Sequence, residues 1–133
     1  MTDSKINLIM KLLMALMLGR FAYDKGWIFS DFKNISPQEA HMLLENSKDI
    51  VLLDVRSKKE FEKDHIEGAI CIPQEIWDIS NSYLDVTKSI LVYSERGERS
   101  VKASRILAKR GLKVFNLEGG VVFWIRAGYD VVK

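Results

Sequence analysis

The residues of this chain best placed to do chemistry are Tyr93-Ser94-Glu95-Arg96-Gly97-Glu98-Arg99-Ser100. They follow an apolar run, Ile90-Leu91-Val92-Tyr93, and precede a helical pattern over residues 101–110. A buried strand therefore feeds a short glycine-containing turn, and the turn feeds a helix. Such a turn aims several backbone N–H groups and a helix N-terminus at one point, where an anion or a nucleophile's negative charge is stabilised. The side chain placed to occupy that point is Ser94. A thiol there would be a strongly activated thiolate; a hydroxyl is not.

The elements around the turn follow from the apolar pattern. Ser36-Pro37-Gln38-Glu39 is a capping box with proline at the first helical position, and it starts a helix through about Glu45. Ile50 to Val55 is a continuous apolar run broken only by Asp54, as in a strand buried on both faces. A short polar helix is expected over residues 58–63, and a second buried strand over 69–72, closed by Pro73. Residues 75–84 are expected to be helical or irregular. The central strand spans 90–93 and its helix 100–109, with Gly111 as the cap. A last strand covers 113–117, and a short helix carrying Phe123 and Trp124 follows Gly119-Gly120. This alternation predicts an α/β domain with a largely parallel sheet and right-handed crossovers. Ligands of such sheets bind beyond the carboxyl ends of the strands. Ser94 stands at one such end and Asp54 to Arg56 at another.

Composition narrows the function classes. A length of 133 residues with 47% hydrophobic content suits one domain with a real core. A net charge of +2 is too balanced to argue for nucleic acid. The charges interleave, as in the run from Lys58 to Asp64, which predicts a solvated helix face. The single cysteine, Cys71, excludes a disulfide framework and a cysteine-based zinc site. His41 and His65 lie too far apart for metal-ligand spacing, and no internal repeat is visible.

Residues 1–33 form a separate unit ahead of the domain at 34–133. Residues 6–18 are apolar except for Asn7 and Lys11, which begin a narrow polar stripe, and include Met10, Met14 and Met17. That run is short of the about 20 residues an ordinary spanning helix needs. As a signal peptide it is poorly written, because Asp3 dilutes the basic start and Lys11 interrupts the apolar core. Packing on the chain's own domain, on a second copy in a homodimer, or against a membrane would each hide it. The last two are the expectation, with Trp27 and Phe29 near the junction, because a bare apolar helix would promote aggregation. A cytoplasmic location is expected, with membrane association and the periplasm as alternatives. Residues 23–32 look like an ordered apolar connector.

Several features coincide in order and spacing. They are Leu53-Asp54-Val55-Arg56, Glu60-Phe61, His65-Ile66-Glu67-Gly68-Ala69, Ile72-Pro73, the Gly97/Arg99/Ser100 loop, Leu117-Glu118-Gly119-Gly120 with Trp124, and Ala127-Gly128. Over about residues 35–131 the chain resembles the single-domain rhodanese family. The resemblance implies an α/β fold with a central, mostly parallel five-stranded sheet flanked by helices, here preceded by the N-terminal apolar helix. It implies transfer of a sulfane sulfur from thiosulfate or another donor to a thiol, a cyanide-like acceptor or a carrier protein, through a cysteine persulfide. No cofactor and no metal are implied.

The family's loop reads Cys-x-x-Gly-x-Arg-Ser, and here it reads Ser94-Glu95-Arg96-Gly97-Glu98-Arg99-Ser100. Its length is that of the sulfurtransferases; related phosphatases carry one residue more. The departure is the nucleophile. A free cysteine titrates near about 8.5, and a helix N-terminus brings it into the physiological range. A serine hydroxyl is far less acidic, and activating it takes an adjacent base. Neither histidine stands in a triad order or a nucleophile-elbow motif. The chain as written is therefore expected to be inactive, whether the serine is a natural loss or an engineered replacement. The alternative is a non-enzymatic binding or regulatory module that retains the cradle.

By its place in the motif, Arg96 would face an anionic donor. Arg99 is expected to pair with Glu60 or Asp54 and hold the loop. Glu95 and Glu98 would suit a cationic acceptor or carrier protein, or point into solvent. Asp54 and Arg56 are expected to cap the next turn. His65 is read as a structural hydrogen-bonding residue, Gly119-Gly120 as tight packing beside the loop, and Cys71 as a small buried hydrophobe. Trp124 is expected in the core, with Trp27 and Trp77 at the surface or an interface.

Overall fold

Alternating apolar residues in the central strands point to opposite faces and build a core on each side of one sheet. The computed structural model describes residues 2–74, 84–85 and 87–133. The expected helical or irregular stretch at 75–84, all but Leu84, and Trp77 lie outside the described residues. The strands are β1 (Lys33–Ile35), β2 (Ile50–Asp54), β3 (Ile70–Cys71), β4 (Ser89–Tyr93) and β5 (Val114–Leu117). The helices are α1 (Asp3–Asp24), α2 (Pro37–Asn46), α3 (Lys58–Lys63), α4 (Glu98–Lys109) and α5 (Gly120–Arg126). The sheet order is β1-β5-β4-β2-β3, and every pairing is parallel.

Leu53, Val55, Ile90 and Val92 face α4 through Val101, Ala103 and Leu107. Leu52, Leu91, Tyr93 and Leu117 face the opposite layer with Ala40, Val121 and Trp124. Each buried aliphatic side chain of this kind contributes about 1.5–3 kcal/mol. Trp124 is in the core as expected, its indole donating to the Asp130 carbonyl at 2.9 Å.

The capping box expected for α2 is present in both directions between Ser36 and Glu39. A second box, Ser57 with Glu60, starts α3. Helix α4 begins two residues before the expected position, because Gly97 at φ +104° turns the chain directly into it. It ends at Lys109, and Gly111 at φ +87° follows the cap residue Arg110. The fifth strand, β1, has no readable pattern: Lys33-Asn34-Ile35 is three residues long and mostly polar. It starts one residue before the division at 33/34.

Helix α1 departs most from expectation. It runs 22 residues, well beyond 6–18, and by length and composition is long and apolar enough to cross a membrane. Gly19 does not break it, and an Arg20–Asp24 ion pair at 3.0 Å closes its last turn. None of its residues is buried, so its own domain does not cover the apolar length of the helix. Only its C-terminal end is tied down. Arg105 of α4 donates to the carbonyls of Tyr23 at 2.6 Å, Ile28 at 3.1 Å and Phe29, and lies over the Tyr23 ring at 3.7 Å. The connector is ordered: Asn34 Nδ2 donates to the Lys25 and Gly26 carbonyls, and Trp27 Nε1 to Glu118 Oε1 at 2.8 Å.

Candidate functional site

Strand β4 delivers Ser94 to the start of α4, where its hydroxyl is held from three sides. The backbone N–H groups of Gly97 and Ser100 donate to Ser94 Oγ at 3.1 and 3.2 Å. Ser94 Oγ donates to Ser100 Oγ at 3.1 Å, and Ser100 Oγ donates to the Gly97 carbonyl at 3.1 Å. Of the amides expected to converge between Glu95 and Ser100, these two reach the hydroxyl. Ser94 itself is 1% exposed. Two N–H groups at a helix N-terminus, with the dipole behind them, favour negative charge on that atom.

The other wall of the loop is α5. Val121 N donates to the Ser94 carbonyl at 3.0 Å and Val122 N to the Glu95 carbonyl at 3.2 Å. This approach needs Gly120, since a Cβ there would lie 2.3 Å from the Ser94 carbonyl oxygen, and its φ is +63°. Gly119-Gly120 therefore serves tight backbone packing, as expected.

Strand β2 ends beside the loop with a buried ionic network. Asp54 Oδ1 accepts from the Arg56 backbone N–H at 2.9 Å, the expected turn cap. The two side chains are also paired through Arg56 Nε and Nη2, at 2.8 to 3.1 Å. Arg56 Nη1 adds Asp64 Oδ1 and Glu95 Oε2, each at 3.1 Å. Burial pushes the Arg56 guanidinium down, but its bonds to Asp54 and Asp64 more than offset this and the net shift is upward. Burial, then the Asp54 charge, pushes the Tyr93 phenol well above its ordinary range, and its oxygen accepts from Ile66 N at 3.1 Å. Glu95 is thus drawn onto Arg56 and does not simply point into solvent, because Arg56 offers a donor at the sheet edge. Asp64 was not singled out by sequence. It closes the Lys58–Asp64 run that reads as a solvated face, and only the return of the chain to β2 brings it onto Arg56.

Arg99 pairs with Glu60 and not with Asp54, at 2.7 and 2.9 Å in a bidentate fork. The Arg99 bond holds the Glu60 carboxyl down at about 2, below its ordinary value. Arg96 is exposed and makes no hydrogen bond or ion pair among the described residues. It lines a cavity of about 480 Å³ with Lys25, Trp27, Asn116, Glu118 and Phe123. Glu98 is exposed at the first turn of α4. His65 is structural, with Nδ1 2.8 Å from the Phe61 carbonyl and its ring stacked on Phe61. His41 stacks on Tyr129. Cys71, half-buried, donates its thiol to the Arg56 carbonyl at 3.6 Å, and burial followed by the Asp54 charge pushes that thiol up. A raised thiol is a poorer source of thiolate.

The profile of the rhodanese-like domain matches residues 36–127. This chain belongs to the rhodanese-like domain family. It is 33% identical to the thiosulfate sulfurtransferase GlpE of Coxiella burnetii, over 70% of this chain and 87% of the relative. It is 28% identical to a sulfurtransferase of Allochromatium vinosum, over 74% of this chain and 92% of that protein. Several other curated relatives are longer, and the chain spans only 22% to 32% of the length of four of them. Among solved structures, the rhodanese-related protein of Thermoplasma volcanium superposes with a TM-score of 0.69 at 33% identity, covering 76% of this chain and 98% of that one. The α/β architecture and the five-stranded parallel sheet are those of the rhodanese fold, and sulfurtransferases are among this chain's relatives.

Proposed function

We propose that Ser94 occupies the nucleophile position of a rhodanese-type sulfur-transfer site, and that the chain with serine there does not carry the transfer. The observation that supports this is the convergence of the Gly97 and Ser100 N–H groups on Ser94 Oγ at the N-terminus of α4. That cradle stabilises a thiolate; it does not make a hydroxyl acidic enough to replace one. With sulfur at this position, the thiolate attacks the outer sulfur of thiosulfate. The S–S bond of thiosulfate breaks, sulfite leaves with the electron pair, and a persulfide remains. A thiol or cyanide then attacks the outer persulfide sulfur, and the thiolate is returned. Glu95 through Ser100 supply the loop. Arg99 and Glu60 brace it, Asp54 and Arg56 hold its base, and Arg96 is the uncompensated cation that would draw an anionic donor.

A second reading, a binding or regulatory module, is favoured by the internal satisfaction of the Ser94 hydroxyl and its near-complete burial. The two are separated by assaying Ser94→Cys beside the serine protein, with thiosulfate as donor and cyanide as acceptor, and by intact mass for one added sulfur atom. Turnover and the adduct are expected only with Ser94→Cys. Turnover by the serine form that disappears in Cys71→Ala would move the site to Cys71, and a Ser94→Cys protein that folds yet forms no adduct would leave the binding reading.

A further inference from the structure

A cavity lies away from Ser94, where the C-terminal end of α1 meets α4. It is about 680 Å³ and is lined by Arg20, Lys25, Lys102, Arg105 and Lys109, with Phe21 and Tyr23 beside them. Lys102, Arg105 and Lys109 share one face of α4 by their spacing. Among the described residues only two carboxylates, Asp24 and Glu98, line the same cavity, and Asp24 is taken by Arg20. Arg105 turns its two terminal nitrogens to three backbone carbonyls, and no carboxylate neutralises it among the described residues. Lys102 and Lys109 are exposed and have no ion-pair partner among the described residues. The cavity therefore carries an excess of positive charge beside aromatic rings.

Its position gives that charge a meaning. The helix that forms one wall is 22 residues long and has no buried residue, and between its charged ends only Asn7 and Lys11 interrupt the apolar run. At a rise of about 1.5 Å per residue its most apolar 18-residue stretch spans about 27 Å, against about 30 Å for a hydrocarbon core. Lys11 lies about two turns from the N-terminal end, and lysines near a helix end extend their flexible stems to the polar boundary of a bilayer. At the other end Phe21, Tyr23, Trp27 and Phe29 gather with Arg20 and Lys25, the composition of a membrane–water boundary. Because Arg105 clamps this end to α4, the basic cavity is held at that boundary.

We propose that α1 spans a lipid bilayer, and that the cavity at its C-terminal end binds the phosphate headgroup of an anionic phospholipid through Lys102, Lys109 and Lys25, with Arg105 fixing the domain over it. The cations answer the phosphate charge, and the apolar helix and aromatic rings flank the acyl chains. This rests on the helix and its clamp and not on the state of position 94.

The test uses the full chain purified in a neutral detergent and offered phosphatidylglycerol, phosphatidylcholine or inorganic phosphate, with bound molecules counted by native mass spectrometry. Retention of one phosphatidylglycerol and no phosphatidylcholine is expected, with at least a tenfold loss in the surface double variant Lys102→Gln/Lys109→Gln. Equal retention of the two lipids, or unchanged retention by the double variant, would overturn the site. Displacement of the lipid by millimolar inorganic phosphate would reassign it to a soluble anion. A chain that stays dispersed in aqueous buffer without detergent as a dimer, by light scattering, would make α1 a subunit contact and sink the membrane assignment.

Discussion

Cys71 and Ser94 stand at the carboxyl ends of two parallel strands on either side of a third and hold complementary halves of one chemistry. Their strands flank β2, and Asp54 is in register with Cys71 on one side and with Tyr93, the residue before Ser94, on the other. Cys71 has the sulfur, but burial and the Asp54 charge push its thiol up, and its partner is a carbonyl. Ser94 has no sulfur but receives two backbone N–H groups at a helix N-terminus. Proximity to the sheet edge is common to both, so it does not make a nucleophile. The direction of the surrounding dipoles does: donors aimed at the atom lower the cost of negative charge, while a carboxylate neighbour raises it.

The largest expected effect sharpens this comparison directly. Ser94→Cys should raise thiosulfate sulfurtransferase activity at least about a hundredfold over the serine protein, since loss of a nucleophile costs far more than any single supporting contact. Cys71→Ala in that background should leave the rate unchanged. If the Cys71 change abolishes the gained activity, the contrast between the two strand ends is wrong.

The next effect concerns the charges between the two positions. Arg56→Ala strands Asp54 as a buried, uncompensated carboxylate, and should cost about 3–5 kcal/mol in denaturant unfolding. A loss below about 1 kcal/mol would mean that Asp54 escapes to solvent or takes a proton without cost.

Gly120→Ala probes the wall that only Ser94 has. Its Cβ would meet two loop carbonyls, and its φ is unfavourable for a side chain, so a loss of about 2 kcal/mol or more is expected. In the Ser94→Cys background the same change should also cut turnover, because the loop carbonyls must move. Unchanged turnover would show that the cradle does not depend on α5.

The smallest effect is the pH dependence of the Glu60–Arg99 brace. The Glu60 carboxyl is held at about 2 in the folded chain, below its ordinary 4.5. Its contribution is therefore fully present above about 4.5 and is lost as pH falls toward 2. Both side chains are about a third exposed, so solvent screening limits the contribution to about 1 kcal/mol or less. Glu60→Gln should flatten the acid limb of the stability curve by that amount. An acid limb unchanged by Glu60→Gln would assign the dependence to other carboxylates.

Much of the fold and the loop were legible because their signals are local. The apolar runs marked β2 and β4, Ser36-Pro37 marked α2, and the glycine-containing turn marked the start of α4 near Ser94. Strand β1 was not legible, since three mostly polar residues have no periodicity, and its place follows from pairing with β5. The full length of α1 was not legible because the apolar run stops at Leu18, before Gly19 and Arg20. The helix continues through them, supported by Arg20–Asp24 and by Arg105 from 82 residues away.

The sequence alone determined the strand–helix order from α2 onward outside residues 75–84, the loop length, the family and the identity of the atom at position 94, because each is written in local runs and motifs in a fixed order along the chain. The tertiary structure decided which charges meet. Asp64 and Glu95 join Arg56, Glu60 takes Arg99, and Lys102, Arg105 and Lys109 gather against the end of α1. Charged side chains carry no periodic signal of their own partners. Coulomb and hydrogen-bond energies depend on distances of a few ångströms, and only the folded chain sets those distances.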